Sequence, residues 1–456
     1  MPAKGLSVAL IELSPETPAP PAAAAPPASY YRRAGLVLTA LLLLALGGAA
    51  PARSVLFRRA GSVPLPANGD FQLVGGILYT MDPAAGRRVL TAWQPAPMRR
   101  LWSHTGGTAE DPLYVNAARD PFDVVAATDG FTVLREGRGI TVLDTRTGVV
   151  RWTSPGGVQP VDDRIALVEE EIFRPGTEYD AESGDPDQLY ATDTGTLHTE
   201  PPQRTELRGV ELATGGTLWS RSLTGSVTTT WRGAPENVVV VLTPDKLTVL
   251  SPATGAVLRE RPVPALDGER ATAGEVVGDS VLVYHGSYGT GGPVTAYALD
   301  SLAERWRQNQ PDPEGNSANC PGLICTRTSD ELIVLDPRTG AERWRIADTD
   351  VVAFGPGAVL EVRAPGRPLR TADAGAGRPR TDLSRWQSYF PVEGGGAYVL
   401  SRLEHDRGTV FGLLRQDDAA VQPLGRWPDT TVQCQAAPAL LACRVPEAIE
   451  LWAMPR

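Results

Sequence analysis

The chain has 456 residues, an apolar fraction of 42% and a net charge of −10. Length and apolar content allow a large core and exclude a disordered chain. The acidic balance, with no run of basic residues, excludes a nucleic-acid partner, because binding a phosphate backbone needs a dense cationic patch.

In chain order, residues 1–33 come first, with the Pro/Ala segment "ETPAPPAAAAPPAS". Such a segment has too little apolar area to fold, and its prolines hold it extended. A disordered cytoplasmic tail is expected. Residues 34–52, "AGLVLTALLLLALGGAAPA", carry no charge and no polar stripe. Their length matches the roughly 20 residues that cross a hydrocarbon core, so a transmembrane helix is expected. A cleaved signal peptide is the alternative, since Ala50 to Ala52 reads as a small-x-small site. Arg32 and Arg33 before the span balance Arg53, Arg58 and Arg59 after it, so flanking charge does not orient it.

The cysteines orient it instead. All four fall in two close pairs, Cys320 with Cys325 and Cys434 with Cys443, and disulfides persist outside the cytosol. The expectation is a single-pass plasma-membrane protein, with residues 53–67 as linker and 68–456 outside the cytoplasm.

From about Ala67 the chain reads as short alternating strands punctuated by Gly, Pro, Asp and Asn turns, an all-β pattern. One phrase recurs: "GITVLDTRTGVVRWTS" from Gly139, "RGVELATGGTLWSRS" from Arg208 and "ELIVLDPRTGAERWRI" from Glu331. Its Asp accepts backbone N–H groups in a turn, and its Gly takes a positive φ. Its Trp begins the next strand and lays a ring against the neighbouring sheet. The repeat residues are thus Asp144, Gly148 and Trp152; Glu211, Gly215 and Trp219; Asp336, Gly340 and Trp344.

In register, corners fall at Asp82, Asp144, Glu211, Ser251, Asp300, Asp336, Asp373 and near Arg415 to Ala419. The spacing centres on the ~40–50 residues of a four-stranded propeller blade. A single β-propeller is expected, of eight blades with seven the alternative, its C-terminal strands closing the ring by pairing near Phe71 to Met81. Gly176 to Glu206 is too polar for strand and reads as a loop projecting from one rim. Arg259 stands where the Ser251 copy lacks its Trp, and the copy at "YALDSLAERW" reads as shortened. A Pro-Gly turn separates Cys320 from Cys325, and Cys434 and Cys443 flank a slightly larger hairpin. Local disulfides are therefore expected over the other two connectivities.

"VLDTRTGVVRW" and "VLDPRTGAERW" resemble the tryptophan-docking repeat A-x-D-x-x-T-G-x-x-x-W of PQQ-type propellers, with Val for the opening Ala. The resemblance spans residues 68–456, strongest in these two copies. It implies an eight-bladed propeller of the quinoprotein-dehydrogenase-like superfamily, many of whose members bind no quinone. The outer-membrane assembly propeller lipoprotein is similar in this sense. The tail, single span and degenerate repeats look most like the membrane-anchored PQQ-like propellers of high-GC Gram-positive bacteria.

Catalytic chemistry is poorly marked. The adjacent cysteines that the resemblance associates with a quinone ring are missing, and no C-x-x-C-H is present for haem. His104, His198, His285 and His405 are scattered, and "DAESGDPDQ" at 180–188 lacks calcium-loop spacing. "GSYGTGG" at 286–292 lacks the Lys-Ser/Thr of a phosphate loop and reads as a hairpin. No catalytic residue, metal ligand or cofactor is assigned. The reading is a non-catalytic, membrane-tethered scaffold for a protein or cell-envelope ligand. A degenerate PQQ-dependent oxidoreductase using calcium is the alternative, and polysaccharide binding through Tyr179, Tyr190 and Tyr288 is a further one.

Overall fold

A computed structural model describes Thr39 and residues 57–455, apart from 85–86, 109–121, 137–138, 181–188, 193–195, 287–291, 311–319, 328–330, 364–365, 405–407, 429–430 and the single positions 234, 321, 348, 356 and 432. The expected tail and membrane span lie outside the described residues, Thr39 excepted, and no described helix is long and apolar enough to cross a membrane. The chain divides into two units, Met1–Ser54 and Val55–Arg456. The described strands all belong to the second.

Among its described residues this unit is entirely β, built from antiparallel sheets that succeed one another along the chain. Four-stranded sheets form blade 1 (residues 70–108), blade 2 (122–154), blade 3 (158–224), blade 4 (228–262), blade 5 (271–310), blade 7 (350–382) and blade 8 (388–427). Blade 6 has three described strands, Ile324–Arg327, Glu331–Leu335 and Glu342–Ala347. Blade 9 joins Cys434–Ala437, Leu440–Val445 and Ala448–Ala453 to an outer strand, Arg58–Pro64, from the start of the unit.

Burial depends on position in the blade. Inner strands of neighbouring blades approach one another, as in blades 1 and 2 and blades 4 and 5. The second strand meets a neighbour on both faces, so Val238–Thr243 is buried at all six positions. Outermost strands such as Val257–Pro262 alternate toward solvent. Nine apolar clusters lie among the described residues, one between each pair of neighbouring blades. Each blade thus has two apolar faces that only its neighbours cover, and a closed ring satisfies all of them. The inner edges are also stitched: Gln435 accepts from Leu73 N–H at 2.7 Å and Gln72 from Val124 N–H at 2.6 Å. These amides occupy backbone donors that an unpaired strand edge would expose.

The ring has nine blades, not the expected eight or seven, and the reason is local. Eight outer corners are present, but blade 9 ends on its third strand and takes its outer strand from Arg58–Pro64, so it carries no corner to count. Closure also uses a different partner from Phe71 to Met81. Arg58–Pro64, inside the stretch expected to be linker, pairs with Ala448–Ala453. Val63 is fully buried there, Phe57 stacks on Trp452 at 5.1 Å, and Arg59 forms two bonds of 2.6 and 2.7 Å with Glu450.

Candidate functional site

The repeat residues come together at the corner between third and outer strands. The Asp144 carboxylate accepts from the N–H groups of Arg146 and Thr147 at 3.1 and 3.0 Å, from the Thr147 hydroxyl at 2.9 Å and from Arg151 at 2.7 Å. Asp336 with Arg343 and Asp373 with Arg380 repeat the arrangement. That arginine, seven residues after the Asp, is not among the repeat residues expected from sequence; its signal is the Arg-Trp pair in "VVRW".

Gly148, at φ 69°, closes the turn, and the indole of Trp102 from blade 1 lies on it, so a Cβ there would stand 2.6 Å from the ring. The Trp102 N–H donates to Thr145 O at 2.8 Å. The same docking carries Trp152 to Leu212 O and Gly215, Trp219 to Pro252 O and Gly255, Trp306 to Pro337 O and Gly340, and Trp344 to Ala374 O and Gly377. Each tryptophan belongs to one blade and anchors on the next.

Two register assignments change. Asp82 lies at the hairpin between the second and third strands of blade 1; the corner there begins at Gln94, eight residues before Trp102. In blade 5 the corner residue is Ala298, not Asp300, and the copy is full length, with Leu302 at φ 56° in the glycine's place. Arg259 does the work of the missing tryptophan in blade 4, donating to Leu299 O at 3.4 Å.

The corner aspartates are held as anions. The Arg151 guanidinium, with the Thr147 bonds, lowers Asp144 to about 2 from 3.8. A depressed carboxylate stabilises the fold above its unfolded value and loses that contribution as pH falls through the folded one. The melting temperature is therefore expected to fall more steeply between about pH 4 and pH 2 in the wild type than in Asp144→Asn. Parallel curves in pH-dependent thermal melts would remove this role.

Both cysteine pairs are bonded, Cys320 with Cys325 and Cys434 with Cys443. The second clips the first two strands of blade 9 together, and the first ties the chain entering blade 6 to its next strand.

Strand order assigns the connections to two faces. One face carries the turns between first and second strands and the docking corners, all short. The opposite face carries the links between blades and between second and third strands, and the blade 3 excursion between Ile165–Ile172 and Arg204–Glu211 falls there. The blade 3 excursion has a folded base, where the sequence suggested a loop. Tyr190–Ala191 pairs with Leu197–His198, His198 is buried, its ring stacks on Phe173 at 3.9 Å, and its Nδ1 bonds the Thr177 hydroxyl at 3.0 Å. Tyr179 and Tyr190 are half-buried there; Tyr288 and His405 lie outside the described residues.

On this long-loop face, blades 9, 1 and 2 enclose a cleft of about 520 Å³ lined by Asn68, Asp70, Met81, Asp82, Arg88, Phe122, Gln433 and Arg444. Arg444 donates to Ala67 O at 2.9 Å and to Gly69 O. Asp70 accepts from its neighbour Phe71 N–H at 2.8 Å, and the Arg88 guanidinium lies 5.9 Å from the Phe122 ring centroid. Two carboxylates, two guanidiniums and two apolar side chains suit a peptide-like segment of mixed character.

Residues 191–346 match a family model of PQQ-type repeats described as outer membrane protein assembly factor BamB. Among solved structures, the chain is similar to BamB from Moraxella catarrhalis, at 14% identity and TM-score 0.37, covering 87% of this chain and 100% of that one. It is also similar to a europium-containing methanol dehydrogenase, at 11% identity and TM-score 0.40, covering 88% and 94%. A third is the quinohemoprotein alcohol dehydrogenase from Comamonas testosteroni, at 11% identity and TM-score 0.39, covering 89% and 78%. Comparison with curated protein sequences gives no match. Residues 191–346 thus resemble PQQ-type repeats, within a unit whose described residues form a β-propeller.

Proposed function

We propose that this PQQ-like propeller is a non-catalytic scaffold, tethered to the plasma membrane through residues 34–52, that presents its long-loop face outside the cytoplasm to a protein partner. The observation that carries this reading is the asymmetry between faces among the described residues: short turns on one, the blade 3 excursion and the mixed-charge cleft on the other. Loops that a rigid scaffold holds on one side are where binding residues concentrate. The disulfides support an oxidising location. Photocrosslinking from each face in the native membrane tests the reading, with discrete adducts expected from the long-loop face alone.

A further inference from the structure

The interface between blades 7 and 8 departs from the docking rule. Counting eight residues from Asp373, the tryptophan's position is held by Thr381. Its hydroxyl reaches Ala419 O at 3.4 Å, a carbonyl in the turn between the third and outer strands of the next blade. The small side chain leaves a cavity of about 480 Å³ between the outer strands of the two blades, a size typical of small-ligand sites, roughly 300–1,000 Å³. Trp386 and Phe411 line it, Trp386 lying against Gly412.

Its charge is specific. Arg380, Arg385 and Arg402 all border it, with Asp382. Arg380 is committed to Asp373 at 2.7 Å and Arg402 to Glu404 at 2.9 Å. Arg402 lies 5.5 Å from the Trp386 ring centroid, and its Nε is buried without a hydrogen-bond partner. Arg385 is exposed, and its charge acts on Asp382, which the Ser384 N–H and hydroxyl first, and Arg385 after them, hold below the usual carboxylate range. The site thus offers a slot that takes an indole at five other interfaces, the exposed Arg385 guanidinium near Asp382 and one unfilled N–H, with Asp382 opposing a second negative charge.

We infer that this slot binds a small aromatic monocarboxylate, its ring beside Trp386 in the place of the missing docking indole and its carboxylate between Arg385 and Arg402. Guanidinium–carboxylate bonds are charge-assisted and set the orientation, while ring stacking supplies the area. The site is separate from the cleft on the long-loop face and does not rest on the scaffold reading.

The test is isothermal titration of the detergent-solubilised full chain with indole-3-propionate, beside neutral 3-ethylindole and non-aromatic hexanoate. Saturable one-site binding of the acid is expected, with both analogues weaker by about tenfold or more, because each lacks one of the two recognition elements. Arg385→Ala is expected to weaken the acid by about tenfold without changing the melting temperature, and Thr381→Trp to abolish binding by filling the slot. No saturable heat, equal binding of 3-ethylindole, or binding untouched by Arg385→Ala would overturn the assignment. Arg385, an exposed side chain, keeps the test decisive if Thr381→Trp does not fold.

Discussion

A chain beginning at residue 66 is expected to lose the cooperative fold that a chain beginning at residue 53 retains. The difference is the strand Arg58–Pro64, which supplies the outer edge of blade 9 and pairs with Ala448–Ala453 along its length. Without it Val63 no longer covers its cluster with Ile449 and Leu451, Phe57 leaves the face of Trp452, and Glu450 loses Arg59. Glu450 is 8% exposed at its side chain, so the lost partner strands a buried charge. The summed effect approaches the whole ~5–15 kcal/mol by which a domain is stable. Circular dichroism melts and size-exclusion chromatography of the two chains would decide it. Equal, single transitions in both would mean that the ring closes by some other pairing.

The second large effect is expected at the docking tryptophans. Trp219 is 9% exposed, donates to Pro252 O at 2.6 Å and covers Gly255 of the next blade. Trp219→Ala leaves a cavity at the interface of blades 3 and 4 and frees a buried carbonyl, a loss of about 3–5 kcal/mol. Gly255→Val reaches a similar cost from the other side: at φ 64° any Cβ is strained, and it would stand 2.5 Å from the Trp219 ring. Trp231, 39% exposed on the inner strand of blade 4, is the control, with Trp231→Ala expected within about 1 kcal/mol of wild type. Denaturant titration reads all three. A Trp219→Ala midpoint no lower than that of Trp231→Ala would show that docking does not hold the blades together.

The repeat was legible because its chemistry is local. Asp, Gly and Trp within nine residues report a turn and the strand after it, and the Val142 to Trp152 and Val334 to Trp344 copies needed nothing more. Gln94 was not legible, because no Asp or Thr-Gly marks its corner, and Asp82 offered a plausible substitute in the preceding hairpin. Ala298 and Leu302 hold a turn that their side chains do not advertise, since the neighbouring blades determine the backbone there. Closure was misplaced for a similar reason: Arg59 and Glu450 are 391 residues apart, and no local pattern announces such a pairing. The blade 3 excursion could be read as an insertion from its length and polarity, but its folded base from Tyr190 to His198 could not. The cleft could not, because Arg444, Asp70 and Phe122 become neighbours only when blades 9, 1 and 2 meet.

The scaffold role stands or falls on photocrosslinking in the native membrane, with a photoreactive residue placed at one position at a time. Asn68 and Leu197 sample the long-loop face, and Arg146 and Ala253 sample the docking-corner face; all four are exposed. A discrete, reproducible protein adduct is expected from Asn68 or Leu197 and none from Arg146 or Ala253. Adducts confined to the docking-corner face, or the same adducts from both faces, would rule out a partner held by the long loops.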